Sequence, residues 1–246
     1  MTTNVQYPRV TKQLISTQSQ IGRTPLIQLD SLSTPTVKIF AKAEWMQLGQ
    51  SVKARAAFSI ISSAWKNQQL QNKILLDASS GNTAIAYASI LSRLKIPLEI
   101  CLPKNASPKR KAILRAFGAT LHLTSELEGT DGAQSFARSL NNENPGKYFY
   151  ADQYNNPANI WAHQLTTAPE IWSQTKGKVT HFIAGLGTTG SFVGTSKTLK
   201  NYNTKIKAVA LQPDSPLHFL EGWKHLSTAI VPGIYSEESI DEKRFI

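Results

Sequence analysis

Short apolar runs alternate with longer amphipathic stretches along most of the chain. This alternation predicts strands joined by helices, which is typical of parallel sheets covered by helices on both faces. The predicted strands are residues 37–45, 73–78, 98–103, 120–124, 147–150, 181–185 and 206–212. The predicted helices are residues 51–65, 83–94, 108–117, 132–141, 159–174 and 191–199.

The end of the sequence departs from this pattern. VPGIY at residues 231–235 is followed by SEESIDEKRFI, for which we predict neither a strand nor a helix. We therefore expect an α/β fold that is incomplete at its C-terminus.

The composition is that of a globular protein. Of the 246 residues, 41% are apolar and 17% are charged, which is ordinary for a folded domain. We predict no membrane partner, because no apolar run is long enough to span a bilayer. The start, MTTNVQYPRV, lacks a signal-peptide pattern. Cys101 is the only cysteine, which excludes an intrachain disulfide and a thiolate metal cluster and favours the cytoplasm.

The net charge of +11 raises the question of nucleic-acid binding. Lysine and arginine are, however, dispersed along the chain. The densest group, KNASPKRKAILR at residues 104–115, has the pattern of an exposed helix face. We therefore predict no nucleic-acid partner.

Two glycine-rich turns each follow a predicted strand and open a predicted helix. They are ASSGNT at residues 78–83 and GLGTTG at residues 185–190. A helix start offers unpaired N–H groups and a positive dipole end, which together favour anions. GLGTTG also matches the dinucleotide pattern, but the acidic residue expected at the end of the next strand is missing, since Asp214 follows a proline. An NAD-dependent oxidoreductase is therefore only an alternative.

A third loop, GQSVKARAAF at residues 49–58, places a lysine at a predicted helix start. With Ser51 as the N-cap, Lys53 lies in the first turn, where the helix dipole disfavours a charged amine. Such a lysine is prepared to act as a nucleophile or to attach a carbonyl compound. Taken alone, this loop fits a surface lysine better.

The order of the motifs changes this balance. GRTPLIQL, SVKAR, SSGNTAIA, KRKAILRAFGATL, DQYNNPANIWAHQLTTAPEIW, GLGTTGS and VPGIY follow one another between residues 22 and 241. In this order the chain resembles the fold-type II enzymes of pyridoxal phosphate (PLP), and among them the cysteine synthases of the B type. The resemblance implies a fold like that of the tryptophan synthase β subunit, with two three-layer αβα domains and mainly parallel sheets. Residues 12–44 with 159–246 would form the larger, phosphate-binding domain, and residues 45–158 the smaller, mobile one.

The resemblance also implies roles for individual residues. Lys53 would attach the cofactor and act as the catalytic base, and Asn82 would bond to the ring hydroxyl of the cofactor. The remaining cofactor-binding residues, around the phosphate, would be Gly187, Thr188, Thr189, Gly190 and Ser191. The substrate-binding residues would be Ser79, Ser80, Gly81, Thr83, Gln153 and Gly222. No metal is implied.

The implied reaction is β-replacement on an O-activated serine, either O-acetylserine or O-phosphoserine. Sulfide or thiosulfate would give cysteine or S-sulfocysteine, and the enzyme would be a homodimer. One alternative is a noncatalytic or truncated relative that binds PLP or an amino acid. The NAD-dependent oxidoreductase is the more remote alternative.

The chain departs from the family pattern at several positions. Ala54 stands where the family has Asp, Gln47 and Leu48 replace an Asn-Pro pair, and Ala84 replaces a Gly. The sequence also has no counterpart of the C-terminal Ser or Thr that faces the pyridine nitrogen. We therefore expect weakened activity, and the preferred substrate stays open.

Overall fold

The computed structural model describes residues 6–246, so the first half of the MTTNVQYPRV start lies outside the described residues. The α-helices are α1 Gln6–Gln18, α2 Lys53–Lys66, α3 Asn82–Leu94, α4 Pro108–Ala116, α5 Gly129–Glu143, α6 Pro157–Ala162, α7 Ala168–Gln174 and α8 Gly190–Tyr202. The strands are β1 Leu26–Gln28, β2 Phe40–Lys42, β3 Ile74–Ala78, β4 Leu98–Pro103, β5 Thr120–Thr124, β6 Tyr148–Tyr150, β7 His181–Gly185, β8 Lys207–Gln212 and β9 Glu242–Phe245. Within residues 6–246, none of the helices is both long and apolar enough to cross a membrane.

A four-stranded parallel sheet has the strand order β5-β4-β3-β6. Successive side chains of β3 point to opposite faces. Leu75 therefore packs in the core that includes α2 and α3, whereas Leu76 packs against Ala133 and Ala137 of α5. Helices thus cover both faces of the sheet, as the α/β prediction requires.

A second sheet has the order β7-β8-β9, with all three strands parallel. Strand β9 pairs with β8 from Val209↔Glu242 to Gln212↔Phe245. The prediction that no strand follows residue 235 is therefore wrong. Strand β9 is mostly exposed and carries the polar sequence EKRF, so backbone pairing forms it without an apolar pattern.

The predicted helix at residues 159–174 is interrupted. A π-helical turn at His163–Thr167 separates α6 from α7. Pro169 lacks the N–H group that would bond to the carbonyl four residues earlier, which disfavours a continuous helix. The hydrophobic pattern missed α1 and the three-residue strand β1. The strand predicted at residues 37–45 is confirmed but shorter, since only Phe40–Lys42 pairs with β1.

Buried charges join the segment of the antiparallel β1-β2 pair to α2 and α7. Arg55 is 2% exposed, and its guanidinium donates to both oxygens of Glu44 and to both oxygens of Glu170 at 2.7–2.8 Å. It also donates to Thr24 at 3.0 Å. Lys42 adds a bond to Glu170 at 2.6 Å. Burial alone would lower the pKa of Arg55, but the two carboxylates outweigh burial and raise it.

Replacing Arg55 should therefore destabilise the fold strongly. We expect Arg55→Leu to lower the free energy of unfolding by about 3–5 kcal/mol, because two largely buried carboxylates lose their partner. Chemical denaturation measures the change. Arg115→Leu, at an exposed arginine of α4, is the control and should stay within about 0.5 kcal/mol of the wild type. Equal losses in the two variants would contradict this account.

Candidate active site

A cleft of about 630 Å³ opens where the loops after β3 and β7 face the start of α2. Its volume is within the usual range of small-molecule sites. Every predicted site residue except Gly190 lines it, namely Lys53, Ser79, Ser80, Gly81, Asn82, Thr83, Gln153, Gly187, Thr188, Thr189, Ser191 and Gly222. Residues from distant parts of the chain thus meet in one place.

Lys53 is the first residue of α2. The residue directly before the helix is Val52 rather than the expected cap Ser51, whose Oγ nevertheless accepts the Lys53 N–H at 3.3 Å. Lys53 is half-buried and lines the cleft, and the burial of its amine lowers the pKa of Lys53. The direction matches the sequence argument, but its cause is burial rather than the helix end. A larger share of Lys53 therefore carries a neutral, nucleophilic amine.

The loop between β3 and α3 is held by its own hydroxyl groups. Ser79 Oγ accepts the N–H groups of Gly81 at 3.3 Å and Ala84 at 3.2 Å, so it caps the start of α3. Thr83 donates to Gln153 Oε1 at 2.7 Å, and Gln153 Nε2 donates to the Ala78 carbonyl at 2.9 Å. Thr83 and Gln153 are thus a preformed pair at the helix start.

Asn159 of α6 connects this loop to the GLGTTG loop. Its Nδ2 donates to the Gln153 carbonyl at 2.8 Å and to Thr188 Oγ1 at 3.1 Å. Gly190 lies against the same side chain, since a Cβ at Gly190 would stand 2.1 Å from Asn159 Oδ1. Gly190 therefore permits close packing of α8 against α6 and does not line the cleft.

His163 contacts Ser191, the residue that follows the GLGTTG loop. Its Nε2 is 3.1 Å from Ser191 Oγ, and its Nδ1 is 2.9 Å from Thr167 Oγ1 across the π-helical turn. Burial, with smaller effects of the Arg55 and Lys53 charges, lowers the pKa of His163 to about 3. A neutral imidazole can accept one of these bonds and donate the other.

Asn159 and His163 were not among the predicted site residues. Both lie inside the segment DQYNNPANIWAHQLTTAPEIW, which carried part of the resemblance. The spacing of four residues, which puts both on one face of the helix, was the signal that could have found them.

The GLGTTG loop has one unsatisfied group. Thr189 adopts a left-handed conformation with φ of 70°. Its hydroxyl oxygen is buried and has no hydrogen-bond partner among the described residues. A Cβ at Gly187 would stand 1.9 Å from the Gly222 carbonyl, so the segment around Gly222 closes directly over this loop.

Ion pairs at the mouth of the cleft were not predicted. Arg110 of α4 pairs with Glu221, and Lys224 pairs with Asp131 of α5 at 2.6 Å. All four side chains line the cleft. The pairs join segments that are 111 and 93 residues apart, which no local pattern reveals.

These features together fit one kind of ligand. A lysine amine with lowered pKa can attach an aldehyde, while the start of α8 and the unpaired Thr189 hydroxyl can receive a phosphate. An α/β fold with this pair of sites defines an enzyme that uses pyridoxal phosphate. The chain belongs to the family of pyridoxal-phosphate-dependent enzymes, which matches residues 17–244.

Comparison with known relatives identifies the kind of PLP-dependent enzyme. The cysteine synthase of Aquifex aeolicus is 46% identical over 231 residues, which are 92% of this chain and 71% of the relative. Cysteine synthase B of Escherichia coli is 37% identical over 227 residues, covering 92% and 74% of the two chains. The crystal structure of cysteine synthase (OASS) from Entamoeba histolytica has a TM-score of 0.86 at 33% identity and covers 94% of this chain and 71% of that one.

The chain is thus a PLP-dependent enzyme of the cysteine synthase type. This finding confirms the predicted family, fold class and cofactor. It favours an enzyme over the noncatalytic relative and leaves no support for the NAD alternative.

The unpaired hydroxyl of Thr189 leads to two predictions, one for the stability of the protein and one for its affinity for PLP. Thr189→Val should stabilise the PLP-free protein by about 1 kcal/mol, since an unsatisfied buried hydroxyl is removed. The same change should weaken PLP binding about tenfold or more, because a bond to a charged group is lost. Thermal unfolding of the PLP-free protein and PLP titration measure the two effects.

Thr195→Val is the matched control. Thr195, in α8, is likewise a buried threonine whose hydroxyl has no partner in residues 6–246, but it does not line the cleft. It should show the same gain in stability with unchanged PLP affinity. A loss of PLP affinity in both variants would refute a specific role for Thr189.

Proposed function

We propose that the protein catalyses β-replacement on an O-activated serine, O-acetylserine or O-phosphoserine, with sulfide or thiosulfate. The products would be cysteine or S-sulfocysteine. One observation carries this proposal: a single cleft joins Lys53 to the starts of α3 and α8. The names of the relatives, cysteine synthase and cysteine synthase B, support it.

The residues around the cleft fit the cofactor at both of its ends. Lys53 Nζ would attach the aldehyde, and Asn82 would bond to the ring hydroxyl. The phosphate would lie against Gly187, Thr188, Thr189 and Ser191, with Gly190 packed behind them against Asn159. When bound, pyridoxal phosphate supplies a sink for the electrons left after removal of a proton from the substrate. The unpaired Thr189 hydroxyl supports the placement of the phosphate.

The start of α3 would bind the carboxylate of the substrate. Free N–H groups at a helix start and its positive dipole end favour an anion. The site residues would be Ser79, Ser80, Gly81, Thr83 and Gln153, with Gly222 beside the amino group. The Thr83 hydroxyl donates its one proton to Gln153 at 2.7 Å, so it would turn that proton to the carboxylate when the substrate binds.

Lys53 would also take the α-proton of the substrate on its Nζ. A base must be unprotonated to do so, and burial lowers the pKa of this amine. His163 would serve as a support for Ser191 rather than as a base, because its two nitrogens are both engaged.

The charge balance of the cleft bears on the sulfur donor. Lys224 and Arg110 each face a carboxylate, from Asp131 and Glu221 respectively. Neither pair adds a net positive charge. This balance favours sulfide over the dianion thiosulfate, and therefore cysteine as the product.

The domain division, assembly and location are further parts of the proposal. Residues 12–44 with 159–246 would be the larger domain and residues 45–158 the smaller, mobile one. The four-stranded sheet lies within residues 45–158 and the three-stranded sheet within residues 159–246. This separation of the two sheets supports the division. By its likeness to the family, the enzyme would be a homodimer. The free, buried Cys101 suits the reducing cytoplasm.

Replacement of the lysine tests the proposal directly. The wild type with PLP should show visible absorbance, form a borohydride-stable adduct at Lys53, and make cysteine from O-acetylserine and sulfide. Lys53→Ala should lose all three while it stays folded. Lys66→Ala, at the exposed last residue of the same helix, should retain them. A colourless wild type without an adduct would end this proposal.

A second variant tests the carboxylate site. Thr83→Val removes the hydroxyl that pairs with Gln153. We expect substrate binding to weaken by about 1.5–3 kcal/mol, the value of a bond to a charged group, with PLP affinity unchanged. Thr130→Val, at a cleft residue of α5, should bind substrate as the wild type does. Unchanged substrate affinity in Thr83→Val would rule out this assignment.

A further inference from the structure

A carboxyl group is buried beneath the substrate loop. Asp77 lies in β3 directly before that loop, and it is 1% exposed. Its Oδ1 accepts the Ala78 N–H at 2.8 Å. Its Oδ2 is buried and lacks a hydrogen-bond partner within the described part of the chain. Such an oxygen is costly to bury, above all as part of a charged carboxylate.

Tyr87 of α3 is the polar neighbour of this oxygen. It is fully buried, and its hydroxyl also forms no hydrogen bond with the described residues. Tyr87 and Asp77 nonetheless influence each other electrostatically. A protonated Asp77 could donate to the hydroxyl, whereas a carboxylate would need the hydroxyl to turn toward it.

Asp77 is connected to the residues proposed to bind the carboxylate of the substrate. It bonds to the Ala78 N–H, and the Ala78 carbonyl accepts from Gln153 Nε2 at 2.9 Å. Gln153 Oε1 in turn holds Thr83, at the start of α3. A change in charge at Asp77 therefore reaches Thr83 through Ala78 and Gln153.

The surroundings of Asp77 hold little positive charge. The titratable groups that face it are Tyr87 of α3, Cys101 of β4, Tyr150 of β6, and Asp152 and Tyr154 of the following loop. Burial raises the pKa of Asp77 to about 7, and the charge of Asp152 contributes to the rise. The bond from the Ala78 N–H and the nearby polar groups of Tyr87 and Gln153 act in the opposite direction.

We propose that Asp77 is a positioning residue of the substrate loop, and that its neutral form is the one that permits tight binding of the carboxylate of the substrate. The proposal rests on the proposed function, because it concerns the same carboxylate site. Two negative charges would otherwise lie on either side of one short loop. Binding of a carboxylate and protonation of Asp77 therefore favour each other.

Binding of L-serine to the PLP-loaded protein tests this coupling. Serine carries the carboxylate and the amine but no activated leaving group. Between about pH 6 and about pH 8.5, the wild type should lose about tenfold more serine affinity than Asp77→Asn. Asparagine retains the acceptor for Ala78 and can donate to Tyr87, so it copies the neutral acid. Calorimetry in buffers of different ionisation enthalpy should show more proton uptake near neutral pH in the wild type than in Asp77→Asn.

Two further variants serve as controls. Asp152→Asn makes the same chemical change at the neighbouring acid and should retain a pH dependence, shifted to lower pH because the charge of Asp152 helps to raise the pKa of Asp77. Asp77→Glu keeps a titratable carboxyl and should retain a pH dependence that Asp77→Asn lacks. Titrations of the amine of serine, of PLP and of Lys53 are shared by all variants, so they cancel in the comparison.

Stability without any ligand gives an independent readout. The folded-state pKa of Asp77 lies above its ordinary value of 3.8, so the folded state binds the proton more tightly than the unfolded state. The wild type should therefore lose stability relative to Asp77→Asn as pH rises from 3.8 to about 7. Denaturant unfolding across this range measures the difference.

The outcomes separate the two proposals. If neither PLP nor serine binds to any variant, the proposed function is wrong and the role of Asp77 falls with it. If serine binds but the wild type and Asp77→Asn have parallel pH profiles, only the role of Asp77 is refuted. A stability difference that does not change with pH would likewise refute it.

Discussion

The buried guanidinium of Arg55 is the interaction on which the geometry of the site depends. It fixes Glu44 near the hairpin, Glu170 in α7 and Thr24 before β1, all from the first turn of α2. Lys53 begins the same turn. The planar guanidinium makes five hydrogen bonds to two carboxylates and one hydroxyl, a pattern that lysine could not reproduce. The Arg55 bonds therefore hold rigidly the helix turn that carries the Lys53 amine.

A second constraint is the connection between the two anion-binding helix starts. Gln153 and Asn159 form a continuous set of hydrogen bonds from Thr83 at α3 to Thr188 before α8. This connection keeps the proposed carboxylate site and phosphate site at a set separation. Glycines at positions 190 and 194 make it possible, because a Cβ there would collide with Asn159 and with the Ile160 carbonyl.

Unsatisfied buried groups in a folded protein call for an explanation. Two of the six such side-chain groups in the described residues, the hydroxyl of Thr189 and one oxygen of Asp77, lie at or next to the cleft. The Thr189 hydroxyl is suited to bind a ligand, and the Asp77 oxygen is suited to bind a proton. The satisfied polar groups, such as Ser79 and His163, instead form the frame around them.

The sequence by itself determined the features that depend on neighbouring residues. The alternating pattern predicted most strands and helices, and the turns at residues 78–83 and 185–190 marked two helix starts. Lys53 was singled out by its predicted helix start, and its role was assigned from the order of the motifs along the chain. Only the tertiary structure decided the partners of Arg55, the pairing of β9 with β8, and the bonds of Asn159 and His163. It also placed the Asp77 carboxyl in a buried site beside Tyr87. These features join residues far apart in the chain or depend on burial, and neither is recorded by a local pattern of residue types.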